Sequence, residues 1–456
     1  MAKYQKYAEY KDSGVEWLGE IPNDWINTKV KYEAYVKARV GWHGLKSDDF
    51  TDEGPYLVTG SDFKGTNIDW SQCYHCDLPR YEQDPYIQLK DGDLLITKDG
   101  TIGKVALVSN LKDDEKATLN SGIFVVRPLR NNFSTKFYFW LLQSKVFKEF
   151  VDFNKTGSTI VHLYQDTFVN FEYASPVLED QIKISNFLDH ETTKIDRLIE
   201  KQQQLIELLK EKRQAVISHA VTKGLDPNVP MKDSGVAWLG EVPGHWIVMK
   251  FNRCVQIRNG LVDPRDNNYK NFILYAPNHI EKATGKILYK ETAEEQGADS
   301  NKYLCFKGEV VYSKIRPALA KVAICEEDMA LCSADMYPMN ACNGLTNDFL
   351  YHFILSDSFT KAVILDSDRV AMPKINRESL NEYRLPIPPV DEQVKILKYI
   401  EISSRKLDEL EQKALQAIQL MQERRTALIS AAVTGKIDVR HWQAPTVAEA
   451  DTELSA

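Results

Sequence analysis

Two stretches of the 456-residue chain hold residue types at spacings that could do chemistry, Thr97-Lys-Asp-Gly-Thr-Ile-Gly-Lys104 and Cys73-Tyr-His-Cys76. The first has the glycines and the lysine of a phosphate cradle, in which backbone N–H groups and a cation surround the ligand. A nucleotide loop, however, reads Gly-x-x-x-x-Gly-Lys-Ser/Thr. Gly100-Thr-Ile-Gly-Lys104 is too short and is followed by Val105 instead of a hydroxyl. The second stretch has half the ligands of a tetrahedral zinc site, and no second pair follows it. An Asn/Asp-Pro-Pro-Tyr/Phe stretch, of the kind amino-methyltransferases carry, does not occur. The isolated His43, His162 and His245 read as packing or surface residues. The sequence thus predicts no catalytic residues and no metal, and the residues that remain are suited to binding.

Reading the edge of a base needs side chains with two-point hydrogen bonding, chiefly Arg or Lys for guanine and Asn or Gln for adenine, while Lys, Ser and Thr in loops hold phosphates. In the first half of the chain the candidates are Arg39, Trp42, His43 and Lys46 in one turn, then Lys98, Asp99, Thr101 and Lys104 in the glycine loop. Ser158 and Thr159, in Gly157-Ser-Thr-Ile-Val-His162, form a third group. Glycines in these loops let the backbone approach a ligand closely. In the second half the candidates are Arg258, Asn259 and Arg265, then Ser313, Lys314, Arg316 and Lys321, then Arg369, Lys374 and Asn376. A formal net charge of -8 speaks mildly against nucleic acid as a partner, but charge is local. Lys29, Lys31, Lys37, Arg39 and Lys46 face only Glu33 in their segment, and Lys250, Arg253, Arg258, Arg265 and Lys270 face Asp263 and Asp266. A solvated face is the plainer explanation of either run taken alone.

The elements that must position these groups come in duplicate. Lys11-Asp-Ser-Gly-Val-Glu-Trp-Leu-Gly-Glu-Ile-Pro-Asn-Asp-Trp25 returns as Lys232-Asp-Ser-Gly-Val-Ala-Trp-Leu-Gly-Glu-Val-Pro-Gly-His-Trp246. Gly92-Asp-Leu-Leu-Ile-Thr-Lys98 is echoed by Gly308-Glu-Val-Val-Tyr-Ser-Lys314, and each then reaches a Lys-Val-Ala, at Lys104 and Lys321. A third anchor begins at Pro176 and again at Pro388, in register through Arg213 and Arg425. Each half therefore reads as an opening motif, a variable globular part and a long helix. The variable parts, roughly 26–175 and 247–387, hold short β-rich runs bounded by Gly, Asn and Asp, and predict mixed α/β domains. Segments 179–222 and 391–434 contain no proline, and glycine waits until Gly224 and Gly435, where a helix stop belongs. Leu188, Ile195, Leu198, Leu205, Leu209 and Val216 step along a heptad seam in the first, as do Ile400, Leu407, Leu410, Ala414, Ala417, Met421 and Leu428 in the second. More than forty residues without a breaker favour a coiled coil over two ordinary core helices. If the halves are related by a two-fold axis, the helices pair antiparallel.

With these anchors the chain resembles the specificity subunits of type I restriction-modification systems over nearly its whole length. The resemblance rests on the duplicated Lys-Asp-Ser-Gly-Val-x-Trp-Leu-Gly-Glu-x-Pro motif, the 92–104 stretch, helices that begin at Glu179-Asp-Gln181 and Asp391-Glu-Gln393, and the Lys-Ile-Asp near Lys436. It implies an α+β fold of two mixed α/β target-recognition domains, related by a pseudo-two-fold axis and joined by two long antiparallel coiled-coil helices. The divisions are 1–175 (opening motif 11–25), 176–226, 227–387 (opening motif 232–246) and 388–440, with 441–456 an acidic disordered tail. It further implies a non-catalytic subunit that reads one half of a split target in double-stranded DNA with each domain. Its partners would be the modification subunits, which bind S-adenosylmethionine, and the restriction subunits, which use ATP and Mg²⁺; no cofactor would be bound by this chain. The second domain departs from the first where Asp99-Gly-Thr-Ile-Gly is replaced by Ile315-Arg-Pro-Ala-Leu-Ala, which predicts unlike half-sites.

Two other readings compete. A self-contained methyltransferase would need the cofactor loop that the sequence lacks, and a coiled-coil scaffold would leave the divergence of the basic loops unexplained. The N-terminus has no apolar core for a signal peptide and no stretch approaches the roughly 18–20 apolar residues of a membrane span, so a cytoplasmic protein without a membrane partner is expected. Seven scattered cysteines predict reduced thiols.

Overall fold

A computed structural model describes residues 4–39, 50–154, 162–367 and 373–443. The chain forms two compact units, Met1–Lys201 with Gln416–Ala456, and Gln202–Leu415. Each unit contains one copy of the repeated motif, and its turn chemistry accounts for the repetition. Tyr10–Asp12 pairs antiparallel with Glu20–Pro22, and Met231–Asp233 with Glu241–Pro243. Asp12 accepts from the N–H of Gly14 at 3.0 Å and Asp233 from that of Gly235 at 2.9 Å, and both glycines have φ near 70°. A side chain with Cβ is strained at such a φ. Trp25 and Trp246 close the motifs and are wholly buried.

Within each unit the two ends of the globular part meet. Ile26–Lys29 pairs antiparallel with Glu172–Ser175, and Ile247–Lys250 with Arg384–Ile387. In the first unit the main sheet has the order Val105–Leu107, Leu94–Thr97, Ile123–Pro128, Ala34–Ala38. In the second it runs Val322–Ile324, Val310–Ser313, Met336–Ala341, Val255–Ile257, the same order of equivalent strands. Side chains alternate along these strands. Leu94 and Ile96 pack with Phe137, Tyr138 and Phe147 of the helices Thr135–Leu141 and Lys145–Phe153, while Leu95 enters a separate core with Val58, Leu119 and Val125. Val310 and Tyr312 against Val311 repeat that division in the second unit.

The long helices Leu178–Lys223 and Val390–Val433 span 46 and 44 residues. Their third-anchor glutamine is a clamp. Gln181, 1% exposed, accepts from the N–H of Ser134 at 2.9 Å and donates to the carbonyls of Asn132 and Pro176. Gln393, 0% exposed, accepts from the N–H and hydroxyl of Thr346 and donates to the carbonyls of Gly344 and Pro388. The acid before Gln393 also has a role, because Glu392 accepts from the indole of Trp246 at 3.1 Å and meets His245 at 2.7 Å.

Inside each unit the two helices run antiparallel. In the first, Arg425 meets Asp196 at 2.9 Å while Trp442, beyond the second helix, packs on Phe187 and His190. In the second, Arg213 pairs with Asp408 and lies 3.8 Å from Glu411. Arg213 and Arg425 occupy the same place in the repeat, as do Asp196 and Asp408, so one ion pair is made twice. The seam is a heptad through buried Leu188, Ile195, Ile206 and Leu209, with Val216 half-buried, and through buried Ile400, Ala414 and Leu428 with Leu407, Ala417 and Met421 half-buried. Leu198, Leu205 and Leu410 do not belong to it: they are 47%, 40% and 48% exposed. Their spacing from Leu188 and Ile400 suits a seam, but the inward positions fall one residue later on the first helix, at Ile199 and Ile206.

The segment after the second helix docks on the beginning of the chain within the first unit. Asp438 donates its N–H to the carbonyl of Gln5 at 2.8 Å, Lys436 reaches the carbonyl of Glu20, and the Arg440 guanidinium lies 4.6 Å from the Tyr7 ring. The expected tail boundary at 441 is therefore corrected to beyond Trp442, and residues 444–456 lie outside the described residues. Among the described residues no helix is long and apolar enough to cross a membrane.

Candidate nucleic-acid interface

In the first domain the strand Leu94–Thr97 delivers the glycine loop, and Thr97 ties its ends. Its N–H donates to the carbonyl of Lys104 at 2.9 Å, its hydroxyl donates to that of Thr101 at 2.5 Å, and the N–H of Lys104 donates back to the hydroxyl at 3.0 Å. Closing the loop on its own backbone leaves the Thr101 and Lys104 side chains in solvent. Lys98 turns the other way. Its ammonium is 3.3 Å from Asp99 and 5.8 Å from the ring centroid of Phe124. A β-bridge joins Asp99 to His162, Leu163 donates its N–H to the carbonyl of Lys98 at 2.9 Å, and His162 Nδ1 is 2.7 Å from Asp99 Oδ1.

These segments enclose a cleft of about 240 Å³ lined by Lys37, Arg39, Lys98, Asp99, Phe124, His162, Tyr164 and Gln165. Arg39 is 3% exposed. It donates to the Leu119 carbonyl and the Thr118 hydroxyl, and its Nη1 has no partner. Burial pushes its pKa down from the ordinary arginine value. Its place is in the wall of the cleft, behind the surface. Lys37, over the exposed ring of Tyr86 at 5.8 Å, is the more accessible cation.

The second domain builds the same arrangement with other side chains. Ser313 takes the place of Thr97, its N–H bonding the carbonyl of Lys321 at 2.9 Å. A bridge joins Ile315 to Lys374, Ile375 donates to the carbonyl of Lys314 at 2.9 Å, and the Lys314 ammonium is 5.8 Å from the ring of Tyr337. Tyr337 stands where Phe124 does, since each pairs with the residue one before the end of the loop-bearing strand, Tyr312 and Ile96. Arg377 lies between Tyr303 and Tyr337, at 5.7 and 5.4 Å, and bonds Asn259 and the carbonyl of Arg258. Arg258 pairs with Glu309 and lies 4.6 Å from the ring of Phe306. Lys374 and Asn376 are exposed beside them, Asn376 also capping the helix Arg377–Glu382.

Not every candidate joins these groups. Arg316 is exposed in a left-handed turn at φ 47°, Lys321 is held by the carbonyl of Pro277, and Arg265 is engaged with Asp263, whose carboxyl it holds down at about 2. Trp42, His43, Lys46, Ser158, Thr159 and Arg369 lie outside the described residues. Cys73 and Cys76 are buried, with His75 bonded to the Gly54 carbonyl. The sequence reading missed Tyr164, Gln165, Arg377 and the floor rings Phe124 and Tyr337. The signal was present as Leu163 with Phe168 and Ile375 with Leu380, apolar pairs five residues apart that are buried in both copies.

A family model for the type I restriction modification DNA specificity domain matches residues 45–208 and again 243–420. The type I restriction enzyme EcoDI specificity subunit of Escherichia coli is 30% identical over 336 residues, covering 70% of this chain and 73% of that protein. The MjaVIII specificity subunit of Methanocaldococcus jannaschii is 23% identical over 374 residues, 78% and 81% of the two chains. Among solved structures, a chain from work on complex assembly and conformational transition of the type I R-M system has a TM-score of 0.66 at 13% identity, over 91% of this chain and 98% of that one. The HsdS subunit from Thermoanaerobacter tengcongensis has a TM-score of 0.50 at 13% identity over the same shares. At such identity the structures speak for the fold alone, and the doubled family match agrees with the doubled sheet and loop arrangement: this chain belongs to the type I restriction-modification DNA specificity family, with two copies of its domain.

Proposed function

We propose that the chain reads a bipartite target in double-stranded DNA, one half-site with each domain, and that the long helices set the separation between them. The observation that carries this is the repetition of one loop arrangement on two frameworks: Lys98 and Lys314 keep their place over an aromatic ring while the flanking residues diverge, Asp99 and His162 against Ile315 and Lys374. The retained lysine suits phosphate, which every sequence has; divergent flanking residues suit unlike bases. A scaffold with no DNA role would have no reason to keep one and vary the other.

Chemistry on this reading belongs to partners. The modification subunits would supply methyl transfer with S-adenosylmethionine, the restriction subunits ATP- and Mg²⁺-dependent cleavage, and this chain would hold none of these cofactors. Purified alone, it should neither transfer methyl groups nor hydrolyse ATP, and such activity in a preparation free of partners would refute the division of labour. The direct test is selection from a pool of random duplexes by the full chain assembled with modification subunits. The expected product is two short conserved segments flanking an unread spacer of about 5–8 base pairs, since both domains must approach one side of the duplex. One contiguous site, or none, would overturn the proposal.

A further inference from the structure

Among the places where the two loop sites differ, one side chain is required by neither framework. Lys98 is followed by Asp99 and Lys314 by Ile315, yet both copies form the same β-bridge and the same 2.9 Å backbone bond to the lysine carbonyl. An isoleucine therefore suffices to hold the loop. Nor does a carboxylate suit a phosphate-facing position, because like charges repel at any distance. Asp99 is nevertheless held firmly, with Oδ1 2.7 Å from His162 Nδ1 and Oδ2 3.3 Å from Lys98 Nζ. Its side chain is 31% exposed and lines the cleft. A carboxylate has about four acceptor sites, so two contacts leave acceptors free.

We infer that Asp99 is a base-reading acceptor of the first domain, taking a hydrogen bond from an exocyclic amino group in the major groove, cytosine N4 or adenine N6. Such groups are the donors that a carboxylate can recognise there, whereas guanine and thymine present acceptors at that edge. Lys98 and His162 are positioning residues for it: they fix the carboxylate and offset its charge against neighbouring phosphates. The second domain, with Ile315 at this place, lacks the acceptor, so the effect belongs to one half-site only.

The assignment rests on the DNA-reading function proposed above, and one experiment separates the two. The full chain assembled with modification subunits is bound to duplex pools randomised in the first half-site and fixed in the second, using wild type, Asp99→Ala and Asp99→Asn. Wild type should prefer cytosine or adenine at one position by roughly ten- to a hundredfold, and the pool itself shows which. Asp99→Ala should abolish that preference and no other, and Asp99→Asn, which gains a donor, should relax it toward bases that present acceptors. Equal weakening for all bases would make Asp99 a holder of Lys98 and overturn the assignment. So would unchanged selection in both variants, or loss of a preference for guanine or thymine. A wild-type complex that selects no base in either half-site would sink the recognition function, and this assignment with it.

Discussion

Lys98 and Lys314 make the same backbone bonds and lie over the same aromatic place, so they should make the same kind of contact in different half-sites. Lys98→Ala is expected to weaken binding to every sequence in the first half-site, to loosen the base preference assigned to Asp99, and to lower the slope of log K against log salt by about one, as loss of one phosphate contact does. Lys314→Ala should do so for the second. Lys104→Ala and Arg316→Ala probe the exposed outer turns of the two loops. Binding at two salt concentrations checks all four, and no change in any of them would take these loops off the DNA surface. A different residue sets a response to acid. His352 has an Nδ1 closed to solvent and without a partner, and burial pushes its pKa down to about 4 from 6.5. The unfolded chain therefore takes up a proton before the folded one, and stability is full above about 6.5 and falls as the pH drops toward 4. The loss should reach about 2 kcal/mol, and His352→Phe should flatten it in urea titrations at pH 7 and pH 4.5. An equal pH dependence in both proteins would show that this half-buried ring is not its source.

At the scale of elements, what was legible and what was not follow from where the constraint lies. The opening motif and the glycine stops are local backbone solutions, and the third-anchor glutamine makes the same backbone bonds to an earlier turn in both copies, so their residue types repeat and can be read directly. The helix seam was half legible: leucines one residue out of phase, such as Leu205, satisfy a three-four spacing as well as Ile206 does, and only packing shows that Leu205 is exposed. Arg39 misled for a related reason. A cation in a basic run reads as surface, but its hydrogen bonds to Thr118 and Leu119 take it inside. Tyr164 and Gln165 come to the cleft, and Arg377 to the corresponding loop of the second domain, from far along the chain, and only the β-bridges bring them there. The glutamine clamp gives the test at this scale. Gln181→Leu would leave the N–H of Ser134 and the carbonyls of Asn132 and Pro176 without partners, at a cost of about 2–4 kcal/mol for several buried groups at once. Gln393→Leu should cost a similar amount. Chemical denaturation measures both, and a loss under about 0.5 kcal/mol would mean that packing alone docks the helices.

For the whole molecule, a net charge of -8 gives no general field that would draw DNA, so the proposed contacts depend on local basic groups. Helices of 46 and 44 residues extend for roughly 60–70 Å at 1.5 Å per residue, ample against the 34 Å of one duplex turn. Four residues inserted near Leu205, about one helical turn, should lengthen or abolish the accepted spacer and leave each half-site sequence as it was. Altered bases within a half-site, with the spacer fixed, would show that the helices do not act as a ruler.

The first unit is assembled from both ends of the chain, and this has a consequence in time. Synthesis adds about 5–20 residues per second, so Gln202–Leu415 takes some 10–40 s to emerge. Throughout that interval Trp25, Phe187 and Leu188 lack Leu428, Ile429, Ala432 and Val433, with which they share a core. The second unit is one uninterrupted segment and needs no such wait. The half that is made first is therefore the half that matures last, and until the final helix leaves the ribosome its unfinished apolar face is the part of the nascent chain most in need of a chaperone.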